Sequence, residues 1–298
     1  MRVLITGASG FIGRHTARAM AAEYVVRTMH RGAALPGFPD HASVDIVTDP
    51  ILPWMDGVSA VIHLAGIGDV GASRNDPLGY NLVNAVGTLR ILEAARLSKA
   101  AVVFASSQHV FRPSTSMLTE RSTPHPQNVY GTSKLMAERW CEMYGRVYGV
   151  RSRVLRLFSV YGPGQTGQGN SGVVSIFHDR AALGEPIIVM SNQRRDFTHV
   201  ADVVRAFLAA LTYRSEGHAL FNIGTGAGTS FGRLARTIRT LLQSSSSIDE
   251  SHIHRTTQHL VPSVEAARAE LGYEARIAVL EGLQDYCDWT RQSALRTA

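Results

Sequence analysis

The chain has 298 residues, 45% of them hydrophobic, with a formal charge of +6 and a pI near 9.6. That length and apolar content support one large or two intimately packed domains and exclude a disordered chain. Of the 30 lysines and arginines only Lys99 and Lys134 are lysines, and the arginines are scattered without a run of five or six. A solvated basic surface with room for an anionic small molecule is therefore expected, not a nucleic-acid partner.

Val3-Leu4-Ile5 is a short apolar run closed by a glycine-rich turn, and residues 12–22 carry small and apolar side chains at helical spacing. Further strands are predicted at 24–29, 58–64, 101–105 and 153–157, with helices over 81–96 and 134–148. Strands alternating with helices imply an α/β fold, a parallel sheet covered on both faces. From Gly162 the run Gly-Pro-Gly-Gln-Thr-Gly-Gln-Gly-Asn opens a more irregular region that ends in a helix over 279–291. The four serines at 244–247 read as a flexible loop. Cys141 and Cys287 give neither a disulfide framework nor a metal-ligand spacing, and no metal is expected. With no signal-like N-terminal segment and no apolar run of membrane-span length, a reducing, cytoplasmic location is expected.

Gly7-Ala8-Ser9-Gly10-Phe11-Ile12-Gly13 joins the first strand to the first helix, where glycines permit a tight turn and the helix N-terminus attracts a pyrophosphate. The second strand ends near His30-Arg31, where an acidic residue would grip the ribose hydroxyls of NAD. Arg31 suits a 2′-phosphate instead, so NADP is preferred, with NAD possible. Tyr130 and Lys134, four apart, share a helical face, and the ammonium there is expected to lower the phenol pKa for proton transfer. Ser106-Ser107 closes the strand at 101–105, at the carboxyl end where open α/β sheets place their sites. Two serines closing a strand need no chemistry, and the helical pair alone could be a surface feature.

Taken together, the motifs resemble the extended short-chain dehydrogenase/reductases of the NAD-dependent epimerase/dehydratase type. Residues 6–13 resemble T-G-x-x-G-x-x-G, Asp45-Ile46 the pair that meets the adenine, and His63-Leu64-Ala65-Gly66 the H-L-A-A/G segment along the cofactor. Asn84 with Gly87-Thr88 resembles N-x-x-G-T. Residues 156–163 resemble R-x-F-N-V-Y-G-P, residues 195–200 R-D-F-x-x-V, and residues 221–224 Y-N-I-G.

The resemblance implies a Rossmann-type doubly wound sheet with a smaller α/β C-terminal substrate domain. Residues 1–162 would form the cofactor domain, with 199–224 returning to it, and residues 163–198 and 225–298 the substrate domain. Cofactor contacts would come from Gly7, Gly10, Phe11, Ile12, Gly13, Arg31, Asp45, Ile46, Leu64, Ala65, Gly66, Tyr130 and Lys134. Ser107 would hold the substrate oxygen whose proton Tyr130 moves, with Ser106 competing for that role. Lys134 would tune Tyr130 and meet the nicotinamide ribose. Ser107, His109 and Arg195 would face the substrate, Arg195 at the diphosphate of a nucleotide-sugar, and a homodimer through a four-helix interface is implied.

Departures from the pattern narrow this reading. Gln108-His109 stands where 4,6-dehydratases carry an Asp-Glu pair, the partner histidine of relatives that epimerise next to a ketone would fall near Gly172, and Ser159 replaces an asparagine. The loop before Arg195 is short, and Arg255 is the nearest candidate for a second phosphate-binding arginine. Reduction of a keto group on a 4-keto (deoxy)hexose nucleotide-sugar is expected. The alternatives are a nucleotide-sugar 4-epimerase with tightly bound NAD and a non-catalytic NADP-binding regulator.

Overall fold

The computed structural model describes residues 1–166, 172–214 and 216–297. Its first half alternates strand and helix: β1 (Arg2–Thr6), α1 (Phe11–Met20), β2 (Val25–His30), β3 (His41–Ser43), β4 (Val58–His63), α2 (Pro77–Asn81), α3 (Gly87–Ser98), β5 (Ala101–Ser107), α4 (Val129–Tyr148) and β6 (Ser152–Leu157). Shorter elements follow: β7 (Val160–Tyr161), α5 (Val173–Ala182), β8 (Ile187–Ile188), β9 (Arg194–Arg195), β10 (Thr198–His199), α6 (Val200–Thr212), β11 (His218–Ile223), β12 (Thr229–Ser230), α7 (Phe231–Leu241), β13 (Ile248–Asp249), α8 (Glu265–Leu271) and α9 (Val279–Thr297).

Seven strands form one parallel sheet in the order β11-β6-β5-β4-β1-β2-β3. Because helices cover both faces, β1 and β5 read as continuous apolar runs without alternation. On one face Leu4, Val61 and Phe104 pack with Ile91 and Leu92 of α3 and Ala137 and Cys141 of α4. On the other, Val3, Ile5 and Leu155 pack with Ala17 of α1 and Phe207 of α6. This is a Rossmann-type α/β fold, and its strand order reverses between β1 and β4, where the carboxyl ends of the strands open a crevice. A separate core of Tyr161, Phe177, Phe197, Leu234, Leu283 and Tyr286 joins α5, α7 and α9.

Three sequence expectations change. The helix expected over 81–96 is α2, a π-helical turn at Leu82–Val86, and α3. The turn presents Asn84, whose Oδ1 accepts from Ile67 N–H at 2.8 Å while its Nδ2 donates to Ile67 O at 3.1 Å and to Ser133 Oγ at 3.0 Å. The helix expected from 134 begins at Val129, because Asn128 caps it by accepting from Gly131 N–H at 2.7 Å. The serine tract is anchored and not a free loop: Ser246 is buried and Ser244 Oγ donates to Ala181 O at 2.6 Å. Of the glycine-rich run at 162–170, positions 167–170 lie outside the described residues. No helix among the described residues is long and apolar enough to cross a membrane.

Candidate active site

The crevice at the β1/β4 switch point is one end of a continuous cavity of about 780 Å³. Gly7, directly after β1, has φ +66°, and a Cβ there would lie 2.6 Å from Ala65 N, so only glycine allows the two backbone segments to meet. Gly13 packs against the Gly7 carbonyl just as tightly. Helix α1 starts from Gly10 with no side-chain cap and no acidic residue in its first turn, so the N–H groups there stand free for an anion. These features fit a dinucleotide pyrophosphate. Phe11, Ile12, Leu64 and Ala65 line the same wall.

At the far end of this wall, β2 delivers His30 and Arg31 and β3 leads to Asp45 and Ile46. Arg31 has a side chain 84% exposed, and its Nη1 lies 3.9 Å from Asp45 Oδ2. Asp45 Oδ1 accepts from Val47 N–H at 2.8 Å, and Ile46 is buried under Gly87. His30 is turned into the protein, with Nε2 bonded to Ala33 O at 2.9 Å. Of the two strand-end residues, Arg31 is the one that exposes a charge to a ligand.

Leu64 and Ala65 are held by a buried chain of hydrogen bonds that sequence reading did not assign. Thr88 Oγ1 donates to Asn84 O at 2.6 Å and so accepts from His63 Nε2–H at 3.0 Å. His63 Nδ1 then accepts from the Thr6 hydroxyl at 2.7 Å, and Thr6 Oγ1 accepts from Leu64 N–H at 3.2 Å and Ala65 N–H at 3.1 Å. Burial pushes the His63 pKa down to about 3, with the Lys134 charge adding to the shift, so the imidazole is neutral and its tautomer is set by Thr88. The signal available in the sequence was the histidine of the H-L-A-G segment.

Ser107, Tyr130 and Lys134 converge at the middle of the cavity. Ser107 ends β5 and accepts from His109 N–H at 3.2 Å, which fixes its hydroxyl. Gly131 of α4 packs directly on the His109 carbonyl, bringing the first turn of the helix against the end of β5. Ser106 is engaged behind the sheet: its hydroxyl donates to Glu138, which also accepts two hydrogen bonds from buried Arg156 at 2.9 and 2.7 Å. That leaves Ser107 as the serine available to a substrate.

The expected lowering of the Tyr130 pKa is not what the structure gives. Burial raises it, a hydrogen bond with Ser107 opposes the rise, and Lys134 is not among the causes. Lys134 Nζ instead donates to Ala105 O at 2.9 Å and lies 4.8 Å from the centre of the Phe104 ring. Its own pKa is pushed down to about 8 by burial.

Beyond Tyr130 lie His109 and Arg195. The His109 ring meets Tyr130 edge-on at 5.8 Å, and its Nδ1 faces Asn128 Nδ2 at 3.5 Å. Burial, and then the charge of Arg195, bring its pKa down to about 4. Arg195 donates through Nε to Gln193 Oε1 at 3.0 Å and stacks on Phe231 at 5.2 Å, and among the described residues no carboxylate pairs with it. A desolvated guanidinium without a counter-ion suits an anionic ligand. Arg255 is exposed and does not line the cavity. Gln165, which motif reading passed over, lines this end with Gln108 and Ser159.

A model described as the NAD dependent epimerase/dehydratase family matches residues 3–224. A relative described as a putative UDP-glucose 4-epimerase from Methanocaldococcus jannaschii is 30% identical, covering 98% of this chain and 99% of its own length. A GDP-6-deoxy-D-mannose reductase from Pseudomonas aeruginosa is 28% identical over 97% of each chain. The solved structure of MoeE5 in complex with UDP-glucuronic acid and NAD superposes with a TM-score of 0.90 at 30% identity, covering 98% of this chain and 100% of that one.

Proposed function

The chain belongs to the NAD-dependent epimerase/dehydratase family of enzymes, and from that premise we propose that it is a nucleotide-sugar 4-epimerase acting by reversible hydride transfer at a carbinol carbon. The observation that carries the reading is one cavity running from the uncapped start of α1, past Ser107, Tyr130 and Lys134, to Arg195, which has no carboxylate partner among the described residues. A bound nicotinamide would supply the hydride acceptor and donor. The chain's residues do the rest. Arg195 holds the diphosphate, Ser107 holds the sugar oxygen, and Tyr130 takes its proton as the carbon gives up hydride and returns the proton when hydride comes back to the other face. Lys134, held at the Ala105 carbonyl, offers a donor for the ribose. The neutral Gln108-His109 pair has no acid of the kind needed to eliminate water.

A second reading, reduction of a 4-keto nucleotide-sugar by NADPH, is favoured by one feature. Arg31 stands exposed where an acidic residue would select NAD. Against it, Asp45 sits 3.9 Å from that guanidinium and would repel a 2′-phosphate.

Incubation of purified protein with UDP-glucose and no added cofactor separates the two. Interconversion with UDP-galactose, reduced about 1,000-fold in Tyr130→Phe with bound cofactor retained, is expected of the epimerase. Stoichiometric loss of NADPH absorbance with a 4-keto sugar nucleotide would establish the reductase instead. Neither activity in the wild type would overturn both.

A further inference from the structure

Two glutamines at the substrate end of the cavity keep a buried amide oxygen without a partner. Gln108 is 4% exposed and Gln165 7%. Both line the cavity that holds Tyr130 and Arg195, and among the described residues neither Oε1 accepts a hydrogen bond.

Their nitrogens, by contrast, are held. Gln165 Nε2 donates to Val160 O at 3.2 Å, and because a main-chain carbonyl can only accept, that bond fixes which end of the amide is free. Gln108 Nε2 donates to Ser159 Oγ at 2.9 Å. Ser159 and Val160 are consecutive, so one short stretch where the chain enters β7 orients both amides. A buried acceptor without a donor is destabilising and uncommon, and two in one cavity point to donors that arrive with a ligand. Neither amide titrates, so neither can move a proton at the reacting carbon.

We propose that Gln108 and Gln165 are specificity-determining acceptors that take hydrogen bonds from hydroxyl groups of the sugar and so select a neutral hexose over a uronate. The proposal rests on the nucleotide-sugar reading above and deepens it. A hydroxymethyl group donates to an amide oxygen. A carboxylate at neutral pH only accepts, and would place its negative charge against two carbonyl dipoles. Among the described lining residues the cations are Arg195, assigned to the diphosphate, Lys134, bonded to the Ala105 carbonyl, and Arg31 at the cofactor end beside Asp45, so a uronate finds no uncommitted guanidinium at the substrate end in compensation.

The test measures KM, kcat and calorimetric binding of UDP-glucose and UDP-glucuronate for the wild type, Gln108→Leu and Gln165→Leu, with the melting temperature of each. The wild type is expected to favour UDP-glucose by roughly tenfold or more. Each leucine variant should raise the UDP-glucose KM roughly tenfold while changing UDP-glucuronate less than about twofold. Melting temperatures should change little, because removing an unsatisfied acceptor from the interior offsets loss of the Nε2 bond to Val160 O or Ser159 Oγ; a purely structural role would lower them and move both substrates together. Preference of the wild type for UDP-glucuronate, or parallel changes for the two sugars, overturns the assignment while leaving hydride transfer intact. Failure of the wild type to bind any nucleotide-sugar overturns the assignment together with the function it rests on.

Discussion

The two ends of the cavity are built from different materials. The cofactor end is shaped by main chain: Gly7 against Ala65, Gly13 against Gly7, and the free N–H groups of α1. The substrate end is shaped by side chains that touch one another across the fold, such as Gln108 on Ser159 and Arg195 on Phe231. A main-chain wall tolerates almost any neighbouring side chain but no added atom. A side-chain wall tolerates added atoms but changes what it recognises.

Adding one methyl at the first end is the strongest way to break this contrast. Gly7→Ala would force a left-handed backbone onto alanine and place its Cβ against Ala65 N. Strain and overlap together are expected to cost on the order of 3 kcal/mol or more, and to abolish cofactor retention. Melting temperature and cofactor content after purification read both. A variant that keeps its cofactor at wild-type level would show that the turn has slack and that the main-chain description is wrong.

The same contrast explains what the sequence disclosed. Glycines at fixed spacing after an apolar strand announce a backbone shape directly, so the turn, the crevice and the strand-end serine were legible. Tyr130 and Lys134 were legible as a pair because lysine is so scarce here. Glu138 and Arg156 were not read as partners, because a charged residue on a helix or a strand looks solvated until the fold brings both into the interior, where they fasten Ser106. The anchored Ser246 was missed for a related reason, since a serine tract carries no mark of the Ala181 carbonyl it will meet. The lowered phenol pKa failed because helical spacing places two side chains on one face without aiming one at the other. Lys134 turns to the Ala105 carbonyl, and burial, with no contribution from that ammonium, raises the phenol pKa.

Each end also holds a histidine made unusually acidic by burial, which gives an intermediate effect. The folded pKa is about 3 for His63 and about 4 for His109, against an ordinary value of 6.5. Below pH 6.5 the unfolded chain takes up protons that the folded chain refuses, so stability is complete above 6.5 and is lost as pH falls toward the folded values. At pH 5 each histidine is expected to cost about 2 kcal/mol relative to pH 7. Urea unfolding of wild type and His109→Gln at the two pH values isolates the substrate-end share: the variant should lose about 2 kcal/mol less on acidification. His63 should keep its share in that variant, and equal losses in the two proteins would mean that His109 is protonated in the folded state at pH 5.

The smallest effect belongs to Arg31, a side chain at the cofactor end that acts by charge and not by shape. Its guanidinium is largely in water and within 3.9 Å of Asp45, so screening and a neighbouring carboxylate both weaken any pull on a 2′-phosphate. Arg31→Ala is expected to raise the Kd for NADP about threefold, to leave the Kd for NAD unchanged, and to alter stability by less than about 0.5 kcal/mol. Calorimetric titrations at low and high salt check this, since the NADP difference should shrink as salt rises while the NAD affinity stays level. A salt-independent change of tenfold or more would mean that Arg31 folds onto the phosphate as a desolvated contact, and the cofactor end would then read its ligand through a side chain just as the substrate end does.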